Sequence, residues 1–218
     1  MQFWWPVTEK GKTIPEYKKR DGLTEKQKLE VCFGAILTQN TSWKNAEKAV
    51  AELNKNDLID AKKIILVKKE KLAGIIMPAG YFNQKAGYLK EFCRHLEKHS
   101  FSVNSFFSFS QDLRKELLSV KGIGKETADS ILLYSAGKPF FVVDAYTKRI
   151  MQRINGGKEK SYDELQDFFH SGLEKSPELF REFHALFVEH AKHFCRKKPL
   201  CSQCFLKKEC FGPESNSF

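Results

Sequence analysis

Four cysteines lie close together in the last quarter of the sequence, and their spacing is typical of a metal-binding loop. Cys195, Cys201, Cys204 and Cys210 have five, two and five residues between them, so one Cys-x-x-Cys pair is flanked on each side by a further cysteine. A zinc ribbon carries two such pairs instead. Four thiolates in one loop fit a [4Fe–4S] cluster better. We therefore expect a [4Fe–4S] cluster, with zinc and uncoordinated thiols as the alternatives.

A glycine turn in the middle of the chain has the composition of a phosphate-binding site. The run Lys121-Gly122-Ile123-Gly124-Lys125 stands between two helical patterns. Glycines allow a tight turn and bring backbone N–H groups to the start of the second helix, where they can donate to a phosphate oxygen. The pattern predicts phosphate contacts from Lys121, Gly122, Gly124 and Lys125, although an ordinary helix–helix turn can contain the same glycines.

The charge balance of the chain also favours an acidic partner. Its 218 residues include 37 lysines and arginines against 27 aspartates and glutamates, a net charge of +10. Arg196, Lys197 and Lys198 fall between the first two clustered cysteines, where they would present positive charge to an acidic polymer such as nucleic acid. The apolar content of 41% excludes a disordered chain, and no apolar run approaches the ~20 residues of a membrane span. We expect an intracellular, cytoplasmic protein, nucleoid-associated if prokaryotic.

Helix-capping residues predict where several elements begin. Thr24 and Ser161 each start a capping box, with Gln or Glu three residues later. Ser110 is expected to cap a helix that runs through Leu117 and Leu118. Asp144 is expected to cap another helix that ends at Asn155.

The last helical pattern is the longest, and its apolar spacing predicts one buried face. It covers about 177–194, with Phe180, Phe183, Phe187 and Ala191 at helical intervals. We find no alternation of strand and helix patterns along the chain. These patterns together predict an all-α fold.

Four segments of the chain match one family of proteins in order. They are residues 34–41, 80–86, 118–128 and 142–149. Together they resemble the endonuclease III superfamily of DNA glycosylases, with 118–128 similar to its helix-hairpin-helix motif. The resemblance implies that Asp144 is the catalytic carboxylate, that Gln39 fills the gap left by a flipped nucleotide, and that Tyr81 wedges against the opposite strand.

The tryptophans look most like those of the 3-methyladenine DNA glycosylase branch of that superfamily. In that branch an N-terminal tryptophan and an aromatic residue shortly after Gln-Asn-Thr sandwich the damaged base, and these positions correspond to Trp4 and Trp43. A cationic alkylated base would gain about 0.5–2 kcal/mol from each aromatic face. Trp5 is expected either in the base pocket or as an anchor of the N-terminal segment.

Glu126 stands where superfamily members that also cut the strand have a nucleophilic lysine. A carboxylate cannot form a Schiff base, so we predict a monofunctional glycosylase that leaves an abasic site. The resemblance also implies that Glu126 and Asp144 face each other across the mouth of a DNA-binding cleft. The alternatives are an endonuclease III-like glycosylase with lyase activity on oxidised pyrimidines, or a mismatch-specific thymine, uracil or adenine glycosylase. A non-catalytic DNA-binding module is a third alternative.

The resemblance also implies two helical domains with a DNA-binding cleft between them. A central domain over 25–138 would carry the hairpin, and residues 1–24 and 139–218 would form the second domain. Its loop, 195–210, would hold the [4Fe–4S] cluster, as in the endonuclease III family, where the first gap is usually six residues rather than five. The expected partner is double-stranded DNA containing a damaged base, bound by a monomer.

Overall fold

The structure is a computed structural model that describes residues 5–18 and 21–211, and α-helices make up most of this part of the chain. No helix in these ranges is long and apolar enough to cross a membrane. An isolated antiparallel bridge joins Val7 to Glu16, but the same ranges contain no strand. The prediction of an all-α fold is confirmed. The helices are α1 Glu25–Leu37, α2 Trp43–Lys55, α3 Ala61–Leu66, α4 Lys69–Ile75, α5 Phe82–Glu97, α6 Val103–Phe109, α7 Leu113–Ser119, α8 Lys125–Ser130, α9 Ala145–Ile154, α10 Tyr162–Gly172 and α11 Pro177–His193.

Side-chain caps begin several helices where the sequence predicts them. Thr24 and Ser161 form capping boxes with Gln27 and Glu164 at the starts of α1 and α10. Asp144 caps α9. Each cap satisfies backbone N–H groups that have no partner inside the helix. These three predictions are confirmed. They could be made from the sequence because a capping side chain and the N–H group that it binds lie close together in the chain.

Other local predictions are wrong. Ser110 does not cap α7; Asp112 does, and Ser110 instead ends α6, which the sequence patterns did not indicate. Helix α8 begins at Lys125, and the chain continues from Ile131 to Ser135 as a π-helix.

The buried face of α11 differs from the predicted one. Phe180 and Ala191 are buried as expected, but Phe183 and Phe187 are only partly buried. The remaining core positions of this helix are His184, Ala185 and Val188. The prediction placed the aromatic Phe183 and Phe187 on the buried face, whereas the actual buried face includes a histidine, His184.

The chain divides into two compact units, one from Trp5 to Gly137 and the other continuing from Lys138. In the first unit Phe33 of α1 packs against Phe92 of α5, with 6.5 Å between ring centroids. In the second, Phe141 stacks on Phe169 of α10 at 3.9 Å and meets Phe180 of α11 edge-on. Each unit thus has its own apolar core. The functional division predicted from the sequence stays a prediction.

A buried carboxylate ties the N-terminal segment to α1. Glu30 accepts hydrogen bonds from the backbone N–H and the hydroxyl of Thr8 and from the side-chain amide of Asn54. Burial raises the pKa of Glu30, against the opposing effect of these hydrogen bonds. The contacts hold in place the segment that begins with Trp5.

Candidate functional site

The glycine turn is a rigid hairpin between α7 and α8. Arg114 of α7 forms two parallel hydrogen bonds to the buried carboxylate of Asp129 in α8, at 2.7 and 3.0 Å. Gly122 has a φ of +92°, and a Cβ there would overlap the ring of Tyr88. Gly124 caps α8, and a Cβ there would meet no atom within 4 Å. Gly122 is therefore required by packing, whereas Gly124 leaves open space beside the backbone.

Polar residues predicted to touch DNA meet at this hairpin. Gln39, just after α1, donates from its side-chain amide to the carbonyl of Gly122 at 2.8 Å and to the hydroxyl of Thr127 at 3.0 Å. Lys121 and Lys125 are exposed on either side of the turn. No local sequence pattern indicates Thr127 or this Gln39 contact, because the contact joins residues more than eighty positions apart.

Tyr81 lies at the start of α5 and is strongly exposed. Its φ of +46° is a left-handed conformation, and 67% of its surface is accessible. Four residues on, the buried ammonium of Lys85 donates to the carbonyls of Leu37 and Ala79 at 2.7 and 2.8 Å. Burial lowers the pKa of Lys85 to about 8. Lys85 thus joins the segments that precede Gln39 and Tyr81, a role that no sequence pattern indicated.

Three aromatic rings cluster against α1 in the first unit. Trp5 meets Trp43 edge-on, with 4.9 Å between centroids, and lies 4.8 Å from Tyr134. Gly34 makes room for them, because a Cβ there would come within 3.3 Å of Trp5. The cluster is partly exposed at Trp5 and Trp43. Trp4, the other predicted pocket residue, lies outside the described residues. No sequence pattern indicated Tyr134.

The two predicted catalytic carboxylates have different surroundings. Glu126 lies in the first turn of α8 and is exposed. Asp144 accepts a hydrogen bond from the backbone N–H of Thr147 at 2.7 Å, and its other oxygen lies 3.5 Å from Nε2 of His184. Only 14% of the Asp144 side chain is accessible. Burial works to raise the pKa of Asp144, but His184 and the Thr147 contacts outweigh it and hold that pKa below its ordinary value. A nearly buried carboxylate thus stays ionised.

The four clustered cysteines line one cavity in the second unit. Its walls also include Arg153 and His190, the apolar Ile150 and Ile154 of α9, and Phe194 just after α11. Nη1 of Arg153 lies 3.1 Å from Sγ of Cys195, as suits an anionic thiolate. Four thiols that line one cavity can act together as ligands of a metal ion or cluster.

Helix α9 connects the cysteine loop to Asp144. Asp144 caps its start, and further along the helix Arg149 donates to the carbonyl of Cys195 at 2.9 Å. Arg153, one turn later, donates to the carbonyls of Arg196 and Lys197. The side chains of Arg196, Lys197 and Lys198 are exposed. The loop is therefore fixed to the helix that presents the carboxylate, through two arginines that the sequence analysis did not select.

The chemistry available here is that of binding a polyanion and stabilising a cation. Exposed lysines and an accessible backbone turn suit phosphate, aromatic faces suit a flat base, and a buried ionised carboxylate suits a developing positive charge. The chain belongs to the HhH-GPD superfamily of base excision DNA repair proteins, whose family model matches residues 33–175. This confirms the resemblance to helix-hairpin-helix DNA glycosylases.

Individual proteins of this superfamily are similar to the chain over most of its length. A Methanocaldococcus jannaschii protein named as a DNA repair glycosylase is 44% identical over 215 residues, covering 97% of this chain and 90% of that protein. Endonuclease III of Thermotoga maritima is 29% identical over 187 residues, covering 85% and 84%. The crystal structure of H. pylori 3-methyladenine DNA glycosylase (MagIII) bound to 1,N6-ethenoadenine has a TM-score of 0.67 at 35% identity, covering 75% of this chain and 84% of that chain. The protein is a base excision repair DNA glycosylase of this superfamily.

Proposed function

We propose that the protein is a monofunctional DNA glycosylase that removes an alkylated purine of the 3-methyladenine type from double-stranded DNA and leaves an abasic site. The observation that carries this substrate class is the cluster of Trp5, Trp43 and Tyr134 against Gly34. In this proposal Trp43 presents one face to the flipped base and is supported by Trp5 and Tyr134. Trp4, expected on the other face, lies outside the described residues. The similarity to a 3-methyladenine glycosylase over most of the chain supports the same class.

Asp144 stabilises the transition state of base release. The bond between C1′ and the base nitrogen breaks, and the cationic alkylated base takes the bonding electrons and leaves neutral. The sugar becomes oxocarbenium-like and is stabilised by the carboxylate. The oxygen of a water molecule then bonds to C1′, and its proton passes to solvent. The depressed pKa of Asp144 supports this role, because the carboxylate is ionised at neutral pH.

The absence of a lysine at position 126 supports hydrolysis without strand cleavage. Glu126 is exposed in the first turn of α8 and has no amine to attack C1′. Its negative charge instead favours a cationic base over a neutral one. Attack by water is then the step that completes the reaction.

DNA is held by the hairpin and by the charged loop. Lys121, Gly122, Gly124 and Lys125 contact backbone phosphates, and the exposed Arg196, Lys197 and Lys198 add a second positive surface. Gln39 fills the space of the flipped nucleotide, and Tyr81 wedges on the opposite strand.

Cys195, Cys201, Cys204 and Cys210 hold a [4Fe–4S] cluster in this proposal. The shared cavity and the nearby Arg153 guanidinium support a set of four thiolate ligands. When bound, the cluster would cross-link the loop through four thiolates. Purified protein should be brown with broad visible absorption, and a colourless protein whose four cysteines bind zinc would overturn the assignment.

A base-release panel tests the substrate class. Duplexes carrying 3-methyladenine, hypoxanthine, ethenoadenine, uracil or thymine glycol are incubated with the wild type, and we expect the fastest release from 3-methyladenine. Trp43→Ala should slow that release about ten- to hundredfold through lost stacking, whereas Trp43→Phe should retain most of it. Phe109→Ala is the matched control, since Phe109 is an exposed ring in the same unit. Release of thymine glycol alone would overturn the proposed substrate.

A further inference from the structure

Two histidines and a glutamate form a compact cluster in the first unit, outside the residues assigned to DNA or base. His95 lies in the last turn of α5, His99 in the turn that follows, and Glu116 on α7. One oxygen of Glu116 is 3.4 Å from Nε2 of His95 and 3.7 Å from Nε2 of His99. One donor atom from each residue lies within 4.8 Å of the other two. We propose that His95, His99 and Glu116 bind one Zn²⁺ ion.

The distances also suit a shared ion. Nε2 of His95 makes a long hydrogen bond of 3.4 Å to Glu116, and Nε2 of His99 lies beyond hydrogen-bonding distance at 3.7 Å. Ligands about 2.0–2.2 Å from a tetrahedral zinc ion are about 3.4 Å from each other. The observed 3.4 and 3.7 Å are close to that value. Two imidazoles and one carboxylate are also a donor set that zinc accepts, with water as the fourth ligand.

The surroundings orient the two rings. Phe106 of α6 packs against both, with centroid distances of 5.2 Å to His95 and 5.0 Å to His99. The histidine side chains are 13% and 17% accessible, and that of Glu116 is 37% accessible. The cluster is therefore held on an apolar wall yet open to an ion from solvent. A zinc ion here would join α5 to α7, the first helix of the hairpin.

The test is zinc binding by the full-length protein, with zinc chloride as the probe. We expect the double variant H95Q/H99Q to bind one equivalent of zinc fewer than the wild type in competition with a colorimetric chelator. Zinc chloride should also raise the melting temperature of the wild type by several degrees, and this rise should be lost in the double variant. Zinc that binds the cysteine thiols contributes equally to both proteins, so the difference reports on this cluster.

Single carboxylate variants make the test independent of how well the double variant folds. Glu116→Gln should weaken this zinc binding at least tenfold. Glu91→Gln is the matched control and should leave this zinc binding unchanged. Glu91 lies on α5, as His95 does, but it pairs with Arg94. Equal zinc stoichiometry and equal melting shifts in wild type, H95Q/H99Q and Glu116→Gln would overturn the proposal.

Discussion

Asp144 and Glu126 are both carboxylates at the starts of helices, but the regions around them differ. The Asp144 side chain is nearly buried, accepts a backbone hydrogen bond from Thr147 and lies beside His184. Glu126, in the first turn of α8, is exposed. Position at a helix start is thus common to both, whereas only Asp144 combines burial with groups that keep it ionised. That combination suits a group that must stabilise a cation in a site sheltered from water.

The largest expected effect comes from neutralising Asp144. Asp144→Asn should slow release of 3-methyladenine about a thousandfold, because the developing cation loses its nearby negative charge. Single-turnover release from a duplex measures this rate. Asparagine caps helices about as well as aspartate, so the melting temperature at pH 7 should change little. A variant that keeps full base release would show that Asp144 is only a helix cap.

The same variant separates stability from catalysis at low pH. The pKa of Asp144 is lower in the folded protein than in the unfolded chain. Its stabilising contribution is therefore present above the unfolded value, near 3.9, and is lost as pH falls through the folded value. Asp144→Asn should consequently lose less stability than the wild type between pH 5 and pH 2, as measured by thermal melts.

A smaller effect is expected at His184. Without it, burial dominates, and the pKa of Asp144 should rise. His184→Leu should move the acidic limb of the rate profile to higher pH and reduce the rate at pH 7 less than about tenfold. His184→Gln, which can still donate a hydrogen bond, should shift the limb less. Identical acidic limbs in all three proteins would exclude a role for His184 in holding the carboxylate ionised.

The smallest effect on rate is expected at Glu126. Glu126→Gln should change release of 3-methyladenine no more than about threefold, since an exposed charge is well screened. Glu126→Lys introduces the amine that the wild type lacks at this position, and it should form a borohydride-trapped complex with DNA. A large loss of rate in Glu126→Gln would remove the contrast with Asp144.

Local chemistry explains which features were predictable from the sequence. The caps at Thr24, Asp144 and Ser161 depend on side chains within three residues of the backbone groups that they bind. The hairpin glycines likewise occupy a short continuous segment. The all-α class follows from apolar spacing within single helices.

Contacts across the chain were not predictable in the same way. The bond from Gln39 to the hairpin, the approach of His184 to Asp144 and the packing of Tyr134 on Trp5 depend on how helices meet. His184 was also missed because a histidine interrupts the apolar pattern of α11. Sequence patterns thus indicated the carboxylate but not the groups that keep it ionised.

The central claim is that water hydrolyses the bond between C1′ and an alkylated base while Asp144 stabilises the sugar cation. No covalent enzyme–DNA intermediate forms. The most direct measurement incubates wild-type protein with a 3-methyladenine duplex in the presence and absence of borohydride, and follows released base and protein–DNA complexes together. We predict complete release of 3-methyladenine, an intact abasic strand and no trapped complex. A trapped complex formed at the rate of base release would contradict the account.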